Sequence, residues 1–285
     1  MAQIAYINGR YVPRAEATVR VEDRGYMFGD GVYEAIAVHD GRLVAADRHF
    51  ERLGRSLGEL RIAWPMPRAA LEVVAREVIA RNALRNGGVY IQVTRGVAPR
   101  DHKFPNDAVP SLLVIAKRTK PVPAALLRDG AAIITRPDLR WGRCDIKSLN
   151  LLPNVLAKQA AAEQNAHETW LIDAAGNVTE GSSTSAWIVT EGGALVTRPN
   201  GVEILPGVTR AIVVDVTRDL GLTLELRPFS LTEAHSAREA FLTSTNNQVL
   251  PVTRIDGQAV GDGKPGPTAL RLRAAFLKAT GRPVS

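Results

Sequence analysis

The chain opens with the stretch Ile4-Ala5-Tyr6-Ile7-Asn8-Gly9-Arg10-Tyr11-Val12. An Asn-Gly pair between two apolar runs is the strongest short-range signal for a β-hairpin, because both residues accept the positive φ angles of a tight turn. The sequence therefore predicts that the fold starts in a β-sheet. A second pair of this kind, Asp256-Gly257, predicts another hairpin late in the chain.

Helical and strand patterns follow the first hairpin. Apolar residues recur at helical spacing from Phe50 to Leu60 and from Leu71 to Val78, which predicts two amphipathic helices. Other runs predict strands at residues 88–96, 111–116, 131–135, 168–173, 184–189, 223–226 and 240–243, and helices over residues 150–164 and from about Val208. Strands in hairpins, followed by strands mixed with helices, predict an α/β protein of the α+β kind with mixed sheets.

Length and composition indicate two domains. With 285 residues and 45% apolar content, the chain can fill two separate cores. Residues 117–130 are interrupted by Pro121 and Pro123, which is typical of a linker. We expect a small N-terminal domain over residues 1–120, a linker over 121–130 and a larger C-terminal domain over 131–285.

Several functional classes are disfavoured by composition. No stretch approaches the roughly 18 to 20 consecutive apolar residues of a membrane helix. Charged residues lie among the apolar residues near the N-terminus, where a signal peptide would have its uninterrupted apolar core. The single cysteine, Cys144, excludes an internal disulfide framework and predicts a cytoplasmic location. The net charge of +7 is spread without a Lys/Arg run, which favours an ordinary charged surface, or anionic ligands, over nucleic-acid binding.

Lys147 is the first candidate for chemistry. It lies in Arg143-Cys144-Asp145-Ile146-Lys147-Ser148-Leu149-Asn150-Leu151-Leu152, where apolar residues enclose it. Burial would disfavour the ammonium form, lower the pKa of the lysine and leave an amine able to form a Schiff base. A lysine that points to solvent is the commoner outcome for such a pattern.

Two stretches have the composition of a phosphate site. Leu205-Pro206-Gly207-Val208-Thr209-Arg210 leads into a predicted helix, whose free N–H groups and positive dipole end would suit a phosphate. A Pro-Gly turn with Thr209 as helix cap is an equally simple interpretation. Thr243-Ser244-Thr245-Asn246 offers further hydroxyls after a strand, although such clusters usually form only turns.

Glu180 lies in Thr179-Glu180-Gly181-Ser182-Ser183-Thr184-Ser185, between two predicted strands. A carboxylate at this place could keep a pyridine nitrogen protonated, which would make the ring an electron sink. A solvated loop acid is the alternative.

Arg100 and His102 are candidates for binding a carboxylate. They are two residues apart, so in an extended loop both side chains point the same way. An exposed basic loop is the alternative. The glycine-rich stretch over residues 24–33, which ends at Tyr33, indicates that the backbone closely approaches another group, which could be only another strand.

The order and spacing of these stretches resemble the class IV aminotransferases, and within that family the members that act on D-amino acids. The matching residues are 22–26, 29–34, 92–96, 99–100, 102, 104–105, 143–152, 155–159, 178–183 and 243–245. Thr184-Ser185 and Asn246-Asn247-Gln248 depart from the expected pattern, which leaves the preferred substrate side chain open.

The resemblance implies a two-domain, fold-type IV enzyme with pyridoxal 5'-phosphate as cofactor. It implies that Lys147 forms the Schiff base and moves the proton, and that Glu180 is the partner of the pyridinium nitrogen. The remaining cofactor contacts that it implies are Arg52, Leu205, Val208, Thr209, Ser244 and Thr245, and the substrate contacts are Tyr33, Arg100, His102, Ser182 and Ser183.

The resemblance also implies an assembly and a reaction. The assembly is a homodimer with the active site at the subunit interface, where Arg100 and His102 reach into the neighbouring subunit. The reaction is a ping-pong transfer of the amino group between D-amino acids and 2-oxo acids, such as D-alanine with 2-oxoglutarate to give pyruvate and D-glutamate. Branched-chain L-amino acid transamination, R-selective amine transamination and aminodeoxychorismate lyase activity stay open as alternatives, and a non-catalytic nucleic-acid-binding protein is the alternative outside the family.

Overall fold

Two β-sheets organise the computed structural model, which describes residues 3–283. The chain divides into two units. Unit 1 comprises residues Met1–Lys120 and Ile146–Asn150, and unit 2 comprises Pro121–Asp145 and Leu151–Ser285. The mixture of strands and helices agrees with the predicted α+β class.

In the described part of unit 1, six strands form one antiparallel sheet in the order β2-β1-β6-β5-β3-β4. The strands are β1 Ile4–Ile7, β2 Arg10–Pro13, β3 Gly31–His39, β4 Arg42–Leu43, β5 Gly87–Thr94 and β6 Ser111–Arg118. The helices are α1 Arg24–Phe28, α2 Ala46–Glu59 and α3 Arg68–Arg81. The predicted hairpin is confirmed, since Asn8 and Gly9 both have positive φ. Leu53 of α2 and Leu71 of α3 are fully buried in the core that these helices form with the sheet.

Unit 2 contains a nine-stranded sheet, counted over residues up to 283, in the order β12-β11-β10-β13-β14-β7-β8-β9 with β15 beside β14. The strands are β7 Ala131–Pro137, β8 Glu168–Ile172, β9 Val178–Gly181, β10 Ser185–Val189, β11 Leu195–Thr197, β12 Leu224–Leu226, β13 Glu239–Ser244, β14 Gln248–Ile255 and β15 Gln258–Ala259. The helices are α4 Ala124–Asp129, α5 Leu152–Glu163, α6 Val208–Asp219, α7 Leu231–His235 and α8 Pro267–Ala279. Parallel and antiparallel pairs both occur, so this sheet is mixed as predicted.

The expected linker and domain boundary differ from the structure. Within residues 121–130, α4 forms, and its Leu126 and Leu127 pack against the core of unit 2. Ile146–Asn150, expected in the second domain, belongs instead to unit 1. The reason is backbone pairing with β3: the N–H of Tyr33 donates to the Lys147 carbonyl oxygen at 3.0 Å, and the N–H of Leu149 donates to the Gly31 carbonyl oxygen at 3.0 Å.

Across residues 3–283, no helix combines the length and the apolar character that a bilayer span requires.

Candidate active site

The predicted site residues are divided between the two units. Tyr33, Arg52, Arg100, His102 and Lys147 lie on unit 1, and the remaining predicted residues lie on unit 2. Each group is described on its own unit.

Lys147 is held in place by its backbone. Its N–H donates to Ser56 Oγ at 3.2 Å, in addition to the pairing of its carbonyl oxygen with β3. The side chain is half-buried, and Nζ lies 4.3 Å from the centroid of the Tyr33 ring. No carboxylate of the described residues forms an ion pair with Nζ. The amine is therefore positioned against an aromatic ring and is not neutralised by an acid.

A glycine allows this close pairing. A Cβ at Gly31 would lie 2.7 Å from the Val93 carbonyl oxygen and 2.8 Å from Leu149 Cδ1. The close approach that the glycine-rich stretch predicted is thus confirmed at this residue. The backbone at Gly31 closely approaches β5 on one side and the segment that contains Lys147 on the other.

The sheet next to Tyr33 contributes two residues that the sequence reasoning missed. The Tyr33 and Tyr90 rings stack with centroids 5.5 Å apart, and the Tyr90 hydroxyl donates to Gln92 Oε1 at 2.7 Å. Burial and the neighbouring Tyr33 raise the pKa of Tyr90 to about 12, so its hydroxyl remains a donor. Alternation along β5 places Tyr90 and Gln92 on one face, and this signal was readable in the sequence.

Arg52 makes a two-pronged contact with a buried acid. Its Nε and Nη2 donate to the two carboxylate oxygens of Glu34 at 2.7 and 2.9 Å, and His49 Nδ1 lies 2.7 Å from Glu34 Oε2. Burial alone would raise the pKa of Glu34, but attraction and hydrogen bonds from Arg52, together with His49, lower it to about 2. Spacing along α2 places His49, Arg52 and Ser56 on one face. The phosphate contact expected of Arg52 stays a prediction.

On unit 2, Glu180 lies within β9 and is buried, so the alternative of a solvated loop acid is wrong. The N–H of Leu205 donates to both carboxylate oxygens, at 3.1 and 3.2 Å. The structure thus brings together two of the predicted cofactor contacts.

Arg140 also contacts Glu180 and was missed by the sequence reasoning. Its Nη1 donates to Glu180 Oε1, and its Nη2 donates to Asp138 Oδ2 at 2.7 Å. Burial would lower the pKa of Arg140, but the hydrogen bond to Asp138 and attraction by both carboxylates raise it above the usual arginine value. Glu180 is therefore held in one orientation by a permanently charged donor.

The predicted helix from Val208 is confirmed as α6. Its N-cap residue is Gly207, so the interpretation of Thr209 as the cap is wrong, and no described side chain caps this end. The first N–H groups of a helix lack intrahelical acceptors, and here they adjoin the buried Thr209. In the second predicted stretch, Ser244 Oγ accepts the Asn247 N–H at 3.1 Å. An uncapped helix end with a buried hydroxyl is chemically suited to a phosphate.

On unit 2, Ser182 is buried and Ser183 is exposed. Both hydroxyls donate to the fully buried carboxylate of Glu168, that of Ser183 at 2.9 Å. Their expected contact with substrate stays a prediction.

Arg100 and His102 are exposed in the connection between β5 and β6. The guanidinium carbon of Arg100 lies 5.1 Å from the centroid of the Phe28 ring, and the His102 ring lies 5.5 Å from it. The structure thus brings both residues to the same aromatic ring.

Known proteins resemble this chain over nearly its whole length. A family model described as Amino-transferase class IV matches residues 31–255. The D-alanine aminotransferase of Staphylococcus haemolyticus is 41% identical over 273 residues, which covers 96% of each chain. That of Bacillus licheniformis is 42% identical over 271 residues and 94% of each chain.

Among solved structures, a branched-chain amino acid aminotransferase from T.th., solved with pyridoxamine 5'-phosphate, is similar, with a TM-score of 0.90 and 28% identity. The likeness covers 99% of this chain and 96% of that one. Both the family match and the extent of identity lead to one conclusion: this chain belongs to the class IV aminotransferase family.

Proposed function

We propose that this aminotransferase uses pyridoxal 5'-phosphate to move amino groups between D-amino acids and 2-oxo acids, with D-alanine as a donor. The observation that carries the proposal is the identity of 41 and 42% with two D-alanine aminotransferases over at least 94% of the chain. The branched-chain enzyme is 28% identical, which favours the D-amino acid reaction over that alternative.

The residues present fit this cofactor. The uncapped start of α6, with Thr209, suits its phosphate, and the buried carboxylate of Glu180 suits its ring nitrogen. Lys147 presents an amine that no described acid neutralises. When bound, the cofactor supplies an electron sink for the charge that develops on the substrate Cα.

The chain's own residues then have distinct roles. Nζ of Lys147 binds the cofactor and afterwards carries the proton that leaves the substrate Cα. Glu180, oriented by Arg140, keeps the ring nitrogen protonated. Arg100 and His102 hold the substrate carboxylate, and this contact decides which face of Cα meets Lys147. Face selection decides between D- and L-amino acids.

Loss of Arg100 is expected to separate amino acids from simple amines. Removing one partner of a two-pronged contact between an arginine and a carboxylate costs about 2 to 5 kcal/mol of binding free energy. Arg100→Ala should therefore lower kcat/KM for D-alanine roughly 30-fold to a few thousand-fold. A primary R-amine has no carboxylate and should be nearly unaffected. The measurement compares D-alanine, L-alanine and the amine in both proteins, each with 2-oxoglutarate and with pyruvate as acceptor.

Two results of that comparison oppose the proposal. An equal loss for D-alanine and the amine would show that Arg100 supports structure or cofactor. A wild-type preference for L-alanine would favour an L-amino acid aminotransferase.

A homodimer forms part of the proposal, and exposed apolar side chains support it. Leu152, Val155 and Leu156 of α5 are 69, 58 and 63% exposed, and their spacing places them on one helix face. Tyr26 and Val109, on unit 1, are 79 and 78% exposed. An exposed apolar helix face such as that of α5 is usually covered by a partner, here a second copy of the chain. We also propose a cytoplasmic location, in keeping with Cys144 as a free thiol.

Subunit complementation tests the dimer and the shared site together. Lys147→Ala and Arg100→Ala subunits should each be nearly inactive on D-alanine alone. If Arg100 acts on the partner's site, a mixed dimer contains one intact site. Co-expression in equal amounts should then restore about one quarter of wild-type activity, since half of the dimers are mixed and each has one working site of two. Absence of any recovery would place Arg100 in its own subunit's site.

A further inference from the structure

The loop that carries Arg100 and His102 is long and exposed. It connects β5 to β6 across residues 95–110 and contains no helix or strand. The side chains of residues 99–104 are all exposed, and the Phe104 ring among them packs on Arg95, whose guanidinium carbon lies 3.6 Å from the ring centroid. A loop of this kind samples many conformations unless specific contacts restrict it.

Arg24 supplies such contacts from beneath the loop. This buried arginine at the start of α1 donates from Nη1 to the Asp101 carbonyl oxygen at 2.6 Å, and from Nη2 to the His102 carbonyl oxygen at 3.5 Å. Asp101 lies between Arg100 and His102 in the sequence. One guanidinium therefore holds the backbone at His102 and at the residue that directly follows Arg100.

Asp30 fixes Arg24 in turn. Its Oδ2 accepts from Arg24 Nε and from Arg95 Nε, each at 2.8 Å. Arg95 also donates to the Leu60 and Arg61 carbonyl oxygens at 2.7 and 3.0 Å, which ties the network to the end of α2. Burial would raise the pKa of Asp30, but hydrogen bonds from Arg95 and Arg24 lower it, so this carboxylate stays charged.

Phe28 completes the arrangement. Its ring contacts Arg100, His102 and also Arg24, whose guanidinium carbon lies 4.8 Å from the ring centroid. Cation–π contact over a ring limits the rotamers of a long arginine side chain. The backbone of the loop and the side chain of Arg100 are thus restrained by neighbouring residues of the same helix, α1.

We propose that Arg24, backed by Asp30 and Phe28, is a positioning residue that preorganises Arg100 and His102 to bind the α-carboxylate of the substrate. The inference rests on the proposed carboxylate-binding role of Arg100 and His102. A loop ordered in advance loses less conformational entropy when the substrate binds. Arg24 should therefore act on the affinity for carboxylate substrates and leave the chemistry of the amino group unchanged.

Arg24→Lys tests the inference because it keeps the positive charge beside Asp30 and removes the fork of donors. Hydrogen bonds from a charged group correspond to about a 10- to 100-fold change in affinity, so KM for D-alanine should rise by that factor with little change in kcat. Turnover of the R-amine should stay near that of wild type. In the Arg100→Ala background, Arg24→Lys should cause a smaller loss with D-alanine than it causes alone, because only His102 is left to position.

Hydrogen exchange of the holoenzyme supplies a readout independent of activity. Amide exchange in residues 98–106 should speed up about tenfold or more in Arg24→Lys and stay unchanged elsewhere. Arg81→Lys is the matched control, because Arg81 also pairs with a carboxylate, Glu77, and lies 4.3 Å from the Tyr11 ring centroid. It makes no contact with the loop, so both KM and exchange should match wild type.

Each outcome decides the inference. Unchanged exchange in the loop, or equal losses for D-alanine and the amine in Arg24→Lys, would overturn it while leaving the role of Arg100 intact. If Arg100→Ala itself fails to distinguish the two substrates, the proposed function fails instead. Should Arg24→Lys not fold, Phe28→Leu carries the test: KM for D-alanine should rise and amine turnover should persist, and an unchanged KM overturns the inference.

Discussion

Replacement of Lys147 by alanine is expected to lower kcat for D-alanine with 2-oxoglutarate by roughly 10³-fold or more, because in the proposed function one amine both binds the cofactor and moves the proton. The protein should still fold. The backbone of this segment is held by Ser56 and Tyr33, and no described carboxylate loses a partner when Nζ is removed. Without a buried charge left unpaired, the free energy of unfolding should change by about 1 kcal/mol or less.

The measurement combines steady-state kinetics, thermal unfolding and the amount of cofactor retained after gel filtration. The groups of unit 2 should retain the cofactor without a covalent bond. Lys117→Ala is a suitable control, since Lys117 lies exposed at the end of β6 on the same unit. Near-normal turnover in Lys147→Ala would remove Lys147 from the mechanism, and an unfolded variant would assign it a structural role.

The parts of the fold that the sequence predicted are those with local signals. The Asn8-Gly9 hairpin and helices α2, α3 and α6 follow from turn chemistry and apolar spacing within a few residues. The predicted hairpin at Asp256-Gly257 is confirmed and joins β14 to β15, but the length of β14 was not predicted, and its Pro251 is one reason, because proline disfavours a strand interior. In the structure this proline lies opposite Phe241 of β13, in the middle of the sheet. Tertiary pairing thus outweighed the local signal.

The candidate site also combines features that have local sequence signals with features that depend on tertiary pairing. Glu180 was singled out by its residue type, but its strand, β9, has only four residues and forms through pairing with β8. No local sequence pattern identifies Arg140 as the partner of Glu180, because the two residues are 40 positions apart. The attachment of Lys147 to β3 joins residues more distant still. Contacts between distant residues can be read only from the folded chain, whereas motif order yields candidate residues whose roles stay predictions.

Arg24 illustrates what motif order omits. It stands within the matched stretch 22–26, but the resemblance assigned it no role. Only the structure shows its guanidinium between Asp30 and the carbonyl oxygens of the loop.

Replacement of Glu180 by glutamine is expected to slow the loss of the substrate α-proton by about 10²- to 10³-fold, the size of effect seen when one group that stabilises developing charge is removed. The amide has the shape of the carboxylate and can still accept the Leu205 N–H, but it carries no charge to hold the ring nitrogen protonated. Arg140 keeps its contact with Asp138, so the protein should lose only about 1 to 3 kcal/mol of unfolding free energy.

Exchange of the α-proton of D-alanine in D₂O, followed by NMR on the holoenzyme, measures this step without the rest of the turnover. Glu180→Asp keeps the charge and should recover part of the rate, which a purely structural role would not require. Glu203→Gln, an exposed glutamate on the same unit, should exchange the proton at the wild-type rate. An exchange rate in Glu180→Gln equal to that of wild type would mean that the buried carboxylate only holds Leu205 and Arg140 in place, and the ring nitrogen would then need another partner.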